Sequence, residues 1–296
     1  MSSFQSSTIN NQSSTIITFH EVSYCYPRQD QPVLNGISFA LRQGEFLGIL
    51  GADETGKTTL AKLIKGLLLP SRGRICFDWP HASVTASPSG TTDELREARR
   101  AVGVIFSDPE NQIVGTTVEE DVAFGLENLQ IAPRDMRIRI ERVLEQVGLL
   151  SAAKRAPHTL SGGEQQKLCI AGVLAMEPEC LVLDNPLSFL DRQSRNELLQ
   201  LFNTLNAAGK TLVYLTSDPD EVVGADRVLM LAGGTIGGEY APENLWEKPD
   251  ILEQAGILPS DMMRFRSALI QKGLSIAPDA MTPEMLACEI IRHCRK

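Results

Sequence analysis

Apolar residues in this chain recur with two periods, a continuous short run and a helical spacing, and the alternation of the two predicts an α/β fold. Glu45 to Leu50, bounded by Gly44 and Gly51, reads as a buried strand, and Thr59 to Leu67 follows with apolar residues at helical spacing. Cys180 to Leu183 is a second buried strand ending at Asp184, and Thr211 to Thr216 a third. Near the N terminus an alternating stretch, Phe19, Val22 and Tyr24, predicts an antiparallel β portion. Thr117 is placed to cap a helix whose Val118, Val122 and Leu126 share a face. Gly233-Gly234 marks a turn, after which Pro242 to Lys296 reads as helical. In that tail Thr282, Pro283 and Glu284 predict a helix start, with Met285, Leu286, Ile290 and Ile291 as its apolar stripe. Residues 1–15, rich in Ser, Asn, Gln and Thr, are expected to be disordered. Pro80 to Thr92 is expected to be a loop before a helix around Asp93 to Arg100.

Chemistry enters at the strand–helix junctions. Gly51-Ala52-Asp53-Glu54-Thr55-Gly56-Lys57-Thr58 fits G-x-x-x-x-G-K-[ST] between a strand and a helix, the context that motif needs. There backbone N–H groups cradle phosphates, Lys57 reaches the β- and γ-phosphates, and Thr58 reaches Mg²⁺. Leu160 to Lys167 reads Leu-Ser-Gly-Gly-Glu-Gln-Gln-Lys. Ser161 with Glu164 three residues on forms a capping box that opens a helix at Gly162, and such a start offers free N–H groups and a dipole to a phosphate.

Taken in order, phosphate loop, Leu160–Lys167 and the strand ending in Asp184 resemble the nucleotide-binding subunits of ABC transporters, over about Ile17 to Gly234. The resemblance implies a P-loop core with a mostly parallel sheet, an antiparallel β subdomain and a helical subdomain at about 108–172. The ATPase domain would span 16–238, with a C-terminal helical extension at 239–296. It implies ATP and Mg²⁺ as cofactors, with Thr58 and Asp184 at the metal and Gly51 to Thr58 together with Thr59 around the phosphates. Tyr26 stands where an aromatic ring stacks on adenine; a core tyrosine fits the same position. Ser161, Gly162, Gly163 and Glu164 would grip the γ-phosphate held by a second ATPase subunit. Ser188-Phe189-Leu190-Asp191 is similar to the D-loop, with Phe189 in place of Gly. Thr117 to Asn128 is similar to the segment after the Q-loop in energy-coupling-factor and cobalt-type ATPases, which receives coupling helices from a transmembrane subunit. The implied partners are therefore that subunit, a substrate-binding membrane subunit and a second ATPase chain, at the cytoplasmic face of the membrane. The tail resembles the extension that holds two such ATPases together; a helix folded back on its own domain fits it equally.

Departures from the pattern sharpen the expectation. Asn185 stands where the family carries the Glu that activates water, and an amide accepts no proton at neutral pH. Ser217 replaces the switch His; the four histidines, His20, His81, His158 and His293, all lie elsewhere. Ser107 replaces the Q-loop Gln, and Asp53 and Glu54 replace Asn and Gly in the phosphate loop. The expected role is the degenerate member of an asymmetric pair, which spoils its own site and completes the partner's. An ATPase active on its own, or a regulatory ATP-binding protein that transports nothing, are the other readings.

Composition adds limits. The 296 residues are 43% hydrophobic and 22% charged, enough for a large core. A net charge of −9 argues against nucleic acid as the main partner. No apolar run approaches the about 20 residues that span a bilayer, so membrane contact is expected through a partner. The six cysteines form no C-x-x-C pair and read as reduced structural thiols.

Overall fold

Two sheets and three groups of helices make up the computed structural model, which describes residues 14–294 except 80, 92, 189, 278 and 279. The strands are β1 (Thr15–Tyr24), β2 (Leu34–Arg42), β3 (Phe46–Leu50), β4 (Arg72–Trp79), β5 (Ala82–Ala86), β6 (Val102–Ile105), β7 (Cys180–Asp184), β8 (Thr211–Thr216), β9 (Arg227–Ala232) and β10 (Thr235–Tyr240). The helices are α1 (Lys57–Ile64), α2 (Arg96–Ala101), α3 (Val118–Asn128), α4 (Pro133–Gln146), α5 (Gly162–Ala175) and α6 (Arg192–Ala207). The C-terminal helices are α7 (Pro242–Glu247), α8 (Asp250–Gln254), α9 (Asp261–Gln271) and α10 (Pro283–Cys294).

The central sheet runs β10-β9-β3-β8-β7-β6, parallel except for β10 at the edge. Every residue of β3, β7 and β8 is buried, which is why their sequences are unbroken apolar runs. The antiparallel sheet runs β2-β1-β4-β5. Leu47 and Ile49 of β3 pack with the antiparallel sheet and α1. Phe46 and Leu50 point into a second core shared with α3, α4 and α5. The parallel strands thus point their C-terminal ends, Leu50 and Asp184, at one edge, where ligands of such sheets bind.

Val118, Val122 and Leu126 are buried together on α3, and the Thr117 hydroxyl accepts from Glu120 N at 3.3 Å, as the pattern predicts. Three expectations need correction. Thr15 belongs to β1, paired with Arg42, so order begins inside the stretch expected to be disordered; residues 1–13 lie outside those described. Pro80 to Thr92 is not all loop: β5 pairs with β4 through Phe77–Val84, because Ala82, Val84 and Ala86 alternate with Ser83 and Thr85 within the polar composition. Among the described residues of α10 only Leu286 is fully buried, at 1% exposure, and Ile290 is half-buried, whereas Met285 and Ile291 are 47% and 51% exposed. Half of the expected stripe, Leu286 and Ile290, turns inward, and the other half faces solvent.

The extension folds back onto its own domain. Leu245, Trp246, Leu252, Ile257, Met263 and Met281 belong to the core that holds Leu168 of α5 and Leu183 of β7. Arg266 of α9 is buried and donates to the carbonyls of Trp246 at 3.1 Å and Ala277 at 3.3 Å, tying the tail's turns together.

Candidate functional site

The loop after β3 turns through Gly56, whose φ of +100° and neighbour Leu34 Cδ2, 2.8 Å from where a Cβ would stand, require glycine. Lys57 follows at the first turn of α1, buried, and its Nζ donates to Gly51 O at 2.7 Å and Ala52 O at 2.8 Å. Burial holds the ammonium below the usual lysine range, against the opposing charges of Asp53 and Asp184. The loop is pinned by Gly51 N on Thr216 O at 3.0 Å and by Thr55 Oγ1 on Ala52 O at 2.7 Å.

A cleft of about 330 Å³ opens over this loop, lined by Val33, Asp53, Glu54, Gly56, Lys57, Thr58, Thr59 and Asn185. Asp184 lies behind it, 2% exposed, its carboxyl pushed up by burial while Thr58 and Lys57 favour the charged form. Asp184 Oδ1 is buried without a hydrogen-bond partner. An orphaned carboxylate oxygen beside a threonine hydroxyl is a hard oxygen donor set, and Mg²⁺ takes only one or two protein ligands alongside phosphate and water. The residues fit that ion, and among the described residues no His, Cys, Asp or Glu cluster offers a cage for another metal.

Tyr26 stands at the rim: its hydroxyl bonds Thr59 Oγ1 at 3.1 Å, and its ring meets Tyr24 edge-on at 4.9 Å. Of the replaced positions, Asn185 lines the cleft with φ +48°, a conformation Asn tolerates better than most residues. Its N–H donates to Leu215 O at 2.8 Å. Ser107 and Ser217 are outside the lining. Ser217 is exposed on a loop braced from behind. There Thr216 Oγ1 donates to Glu221 at 2.5 Å, Asp218 N donates to Thr216 Oγ1 at 3.0 Å, and Arg195 pairs with both Asp218 and Glu221. Burial pushes the Glu221 carboxyl up.

Ser161 to Glu164 form a separate group. Ser161 Oγ accepts from Glu164 N at 3.3 Å and Glu164 Oε2 accepts from Ser161 N at 2.8 Å, completing the expected capping box of α5. The Ser161 hydrogen bond holds the Glu164 carboxyl below its usual range. Gly162 is open, with nothing within 4 Å of a built Cβ, whereas a Cβ on Gly163 would stand 2.6 Å from Ser194 Oγ. Asp191 caps α6 by accepting from Gln193 N, Ser194 N and Ser194 Oγ at 2.8–3.0 Å. Its neighbour Phe189 lies outside the described residues. Neither Asp191 nor any residue of Ser161–Glu164 lines the phosphate-loop cleft.

Sequence reading missed Gln166, Val33 and Arg195 as contributors. Gln166 of α5 is buried and donates to Phe106 O at 3.1 Å, joining this helix to the segment of Ser107. Gln112 also closes that segment, bonding Phe106 N and O at 3.1 and 3.2 Å. Val33 forms a cleft wall from the loop before β2, and Arg195 braces the Ser217 loop; neither had a local signal, since each acts across a large sequence separation.

Comparison with known proteins agrees with this geometry. A family model described as ABC transporter matches residues 34–188. A putative ABC transporter ATP-binding protein of Methanosarcina mazei is 38% identical over 94% of this chain and 98% of that protein. An energy-coupling factor transporter ATP-binding protein of Methanosarcina acetivorans is 37% identical over 94% and 98%. Among solved structures, cbiO1 of Clostridium perfringens, part of the ABC transporter complex cbiONQ, superimposes with a TM-score of 0.71. It is 28% identical and covers 86% of this chain and 99% of its own.

Proposed function

This chain belongs to the ABC transporter family of ATP-binding proteins, and from that premise we propose that it is the ATP-binding subunit of an energy-coupling-factor importer and the degenerate member of an ATPase pair. The carrying observation is that the cleft over its phosphate loop presents Asn185, an amide, where water must be activated, while its capped helix α5 stands intact and open at Gly162. The names of the relatives support the energy-coupling-factor transporter class, and a cobalt import ATP-binding protein among them suits the vitamin or transition-metal cargo of this reading.

In this reading each residue has a local task. Backbone N–H groups of Gly51 to Thr58 and the Lys57 ammonium hold the β- and γ-phosphates. Tyr26 offers its ring to adenine at the rim. Mg²⁺, when bound, neutralises developing charge on the phosphate oxygens, and Thr58 and Asp184 would hold it. Asn185 orients water through its amide but takes no proton, so turnover at this site falls about a hundredfold to ten-thousandfold. Ser161 and the free N–H groups at Gly162 and Gly163 then serve the phosphate bound by the partner chain. Among the described residues no helix is long and apolar enough to cross a membrane, and peripheral attachment at the cytoplasmic face through a transmembrane subunit suits the chain.

The test compares two variants in the complex copurified with its native partners. Gly162→Asp is expected to abolish ATP turnover, while Lys57→Ala leaves most of it. Equal loss from both sinks the asymmetric assignment.

A further inference from the structure

We propose that the cleft between α2, the last turn of α1 and the C-terminal ends of α3 and α5 binds a phosphate-bearing polyanion. Lys65, Arg96, Arg99 and Arg100 line this cleft of about 280 Å³, and among its lining residues there is no carboxylate. In a chain of net charge −9 such a concentration of positive charge comes from the fold rather than from an excess of basic residues.

Two nearby acids are committed elsewhere: Glu177 is held by Arg139 at 3.1 Å and Arg142 at 2.6 Å, and Glu179 pairs with His81 at 3.2 Å. Glu97 pairs with Arg100 of the cleft itself at 3.4 Å, which leaves Lys65, Arg96 and Arg99 to an anion. Among the described residues the guanidinium groups of Arg96 and Arg99 make no ion pair and no hydrogen bond. Lys65 Nζ donates to Arg99 O at 2.5 Å and to Val102 O, which fixes the ammonium at the cleft and leaves it a third N–H. Burial and the Arg99 charge hold its pKa down to about 8, a strain that a bound anion relieves. Leu129, Met176 and Pro178 form an apolar wall beside the charges, and the low dielectric of such a wall strengthens a charge contact. Planar guanidinium groups with free N–H forks favour phosphate in particular.

This cleft is distinct from the nucleotide cleft. Val102 pairs with Cys180 at the N-terminal ends of β6 and β7, whereas Asp184 stands at the C-terminal end of β7. A free diphosphate and the headgroup of an anionic lipid share the required chemistry, and the test separates them.

Pyrophosphate is titrated into the full chain by calorimetry, with Lys57→Ala present throughout to remove the phosphate-loop site. The same chains are then sedimented with phosphatidylglycerol and with phosphatidylcholine vesicles. We expect one pyrophosphate site that Arg96→Gln with Arg99→Gln weakens at least about tenfold, and that high salt abolishes, with the thermal midpoint unchanged. If only phosphatidylglycerol vesicles bind, and the arginine changes release the chain, the anion is a lipid headgroup. Arg96→Gln alone, at an exposed side chain, replaces the double variant if that one melts lower, with at least about threefold weakening expected. Binding that ignores Arg96 and Arg99, or binding of neither probe, overturns the proposal.

Discussion

Asp53 Oδ1 lies 3.7 Å from Lys57 Nζ, so the ammonium that a phosphate loop offers to nucleotide already faces a carboxylate of the same loop. The Asp53 side chain is 85% exposed, and water screens the pair, so the contact is a weak competitor rather than a block. Glu54 beside it takes φ +63°, a conformation that suits the glycine usual in the family.

Asp53→Asn is therefore expected to tighten ATP binding about fivefold, the size of an exposed charge contact near about 1 kcal/mol. Adding Glu54→Gly relieves backbone strain and tightens it further. Titration with a fluorescent ATP analogue at low and high salt reads both; a gain that persists undiminished at high salt would contradict the electrostatic cause.

Asn185→Glu combined with Ser217→His is expected to raise hydrolysis at this chain's own site by about tenfold or more, measured in a complex whose partner has its phosphate-loop lysine removed. The φ of +48° makes Glu costlier than Asn there, so a small loss of stability accompanies the gain. Unchanged turnover would show that the missing groups are not what limits the site.

The paired glycines of α5 separate folding from function. Gly163→Ala drives a Cβ to 2.6 Å from Ser194 Oγ and is expected to cost about 1–3 kcal/mol of stability. Gly162→Ala meets nothing within 4 Å, and a melting curve should barely register it, while turnover at the partner's site falls.

Lys65 gives the chain a pH signature. Its pKa is held down to about 8 when folded and returns to about 10.5 when unfolded, so between those values the unfolded chain binds more protons. Stability contributed by this group is lowest below pH 8 and rises as pH climbs toward 10.5. Denaturant midpoints of the parent and Lys65→Met should diverge in the parent's favour across that window; a constant gap would refute the shift.

The central strands were legible because they are buried on both faces, and α3 and α5 because a hydroxyl side chain caps each. Phe46–Leu50 and Cys180–Asp184 announce themselves as unbroken apolar runs, and Thr117 and Ser161 mark their helices by hydroxyl chemistry. β5 escaped notice because Ala82, Val84 and Ala86 alternate inside a Ser- and Thr-rich stretch, where composition outweighs period. The phosphate loop and capping box were local and therefore readable. Val33, Gln166 and the Arg195 brace were not, since each meets its target only after long-range folding.

Trp246, 2% exposed, sits in one apolar cluster with Leu168 of the Ser161 helix and Leu183 beside Asp184. A tail built into that cluster has no melting transition of its own: heating should release extension and ATPase domain in a single calorimetric peak, with the calorimetric and van't Hoff enthalpies equal. The extension is thus a tenant of the same cooperative unit, and cutting it away removes part of the packing around the Ser161 helix and the strand that ends at Asp184.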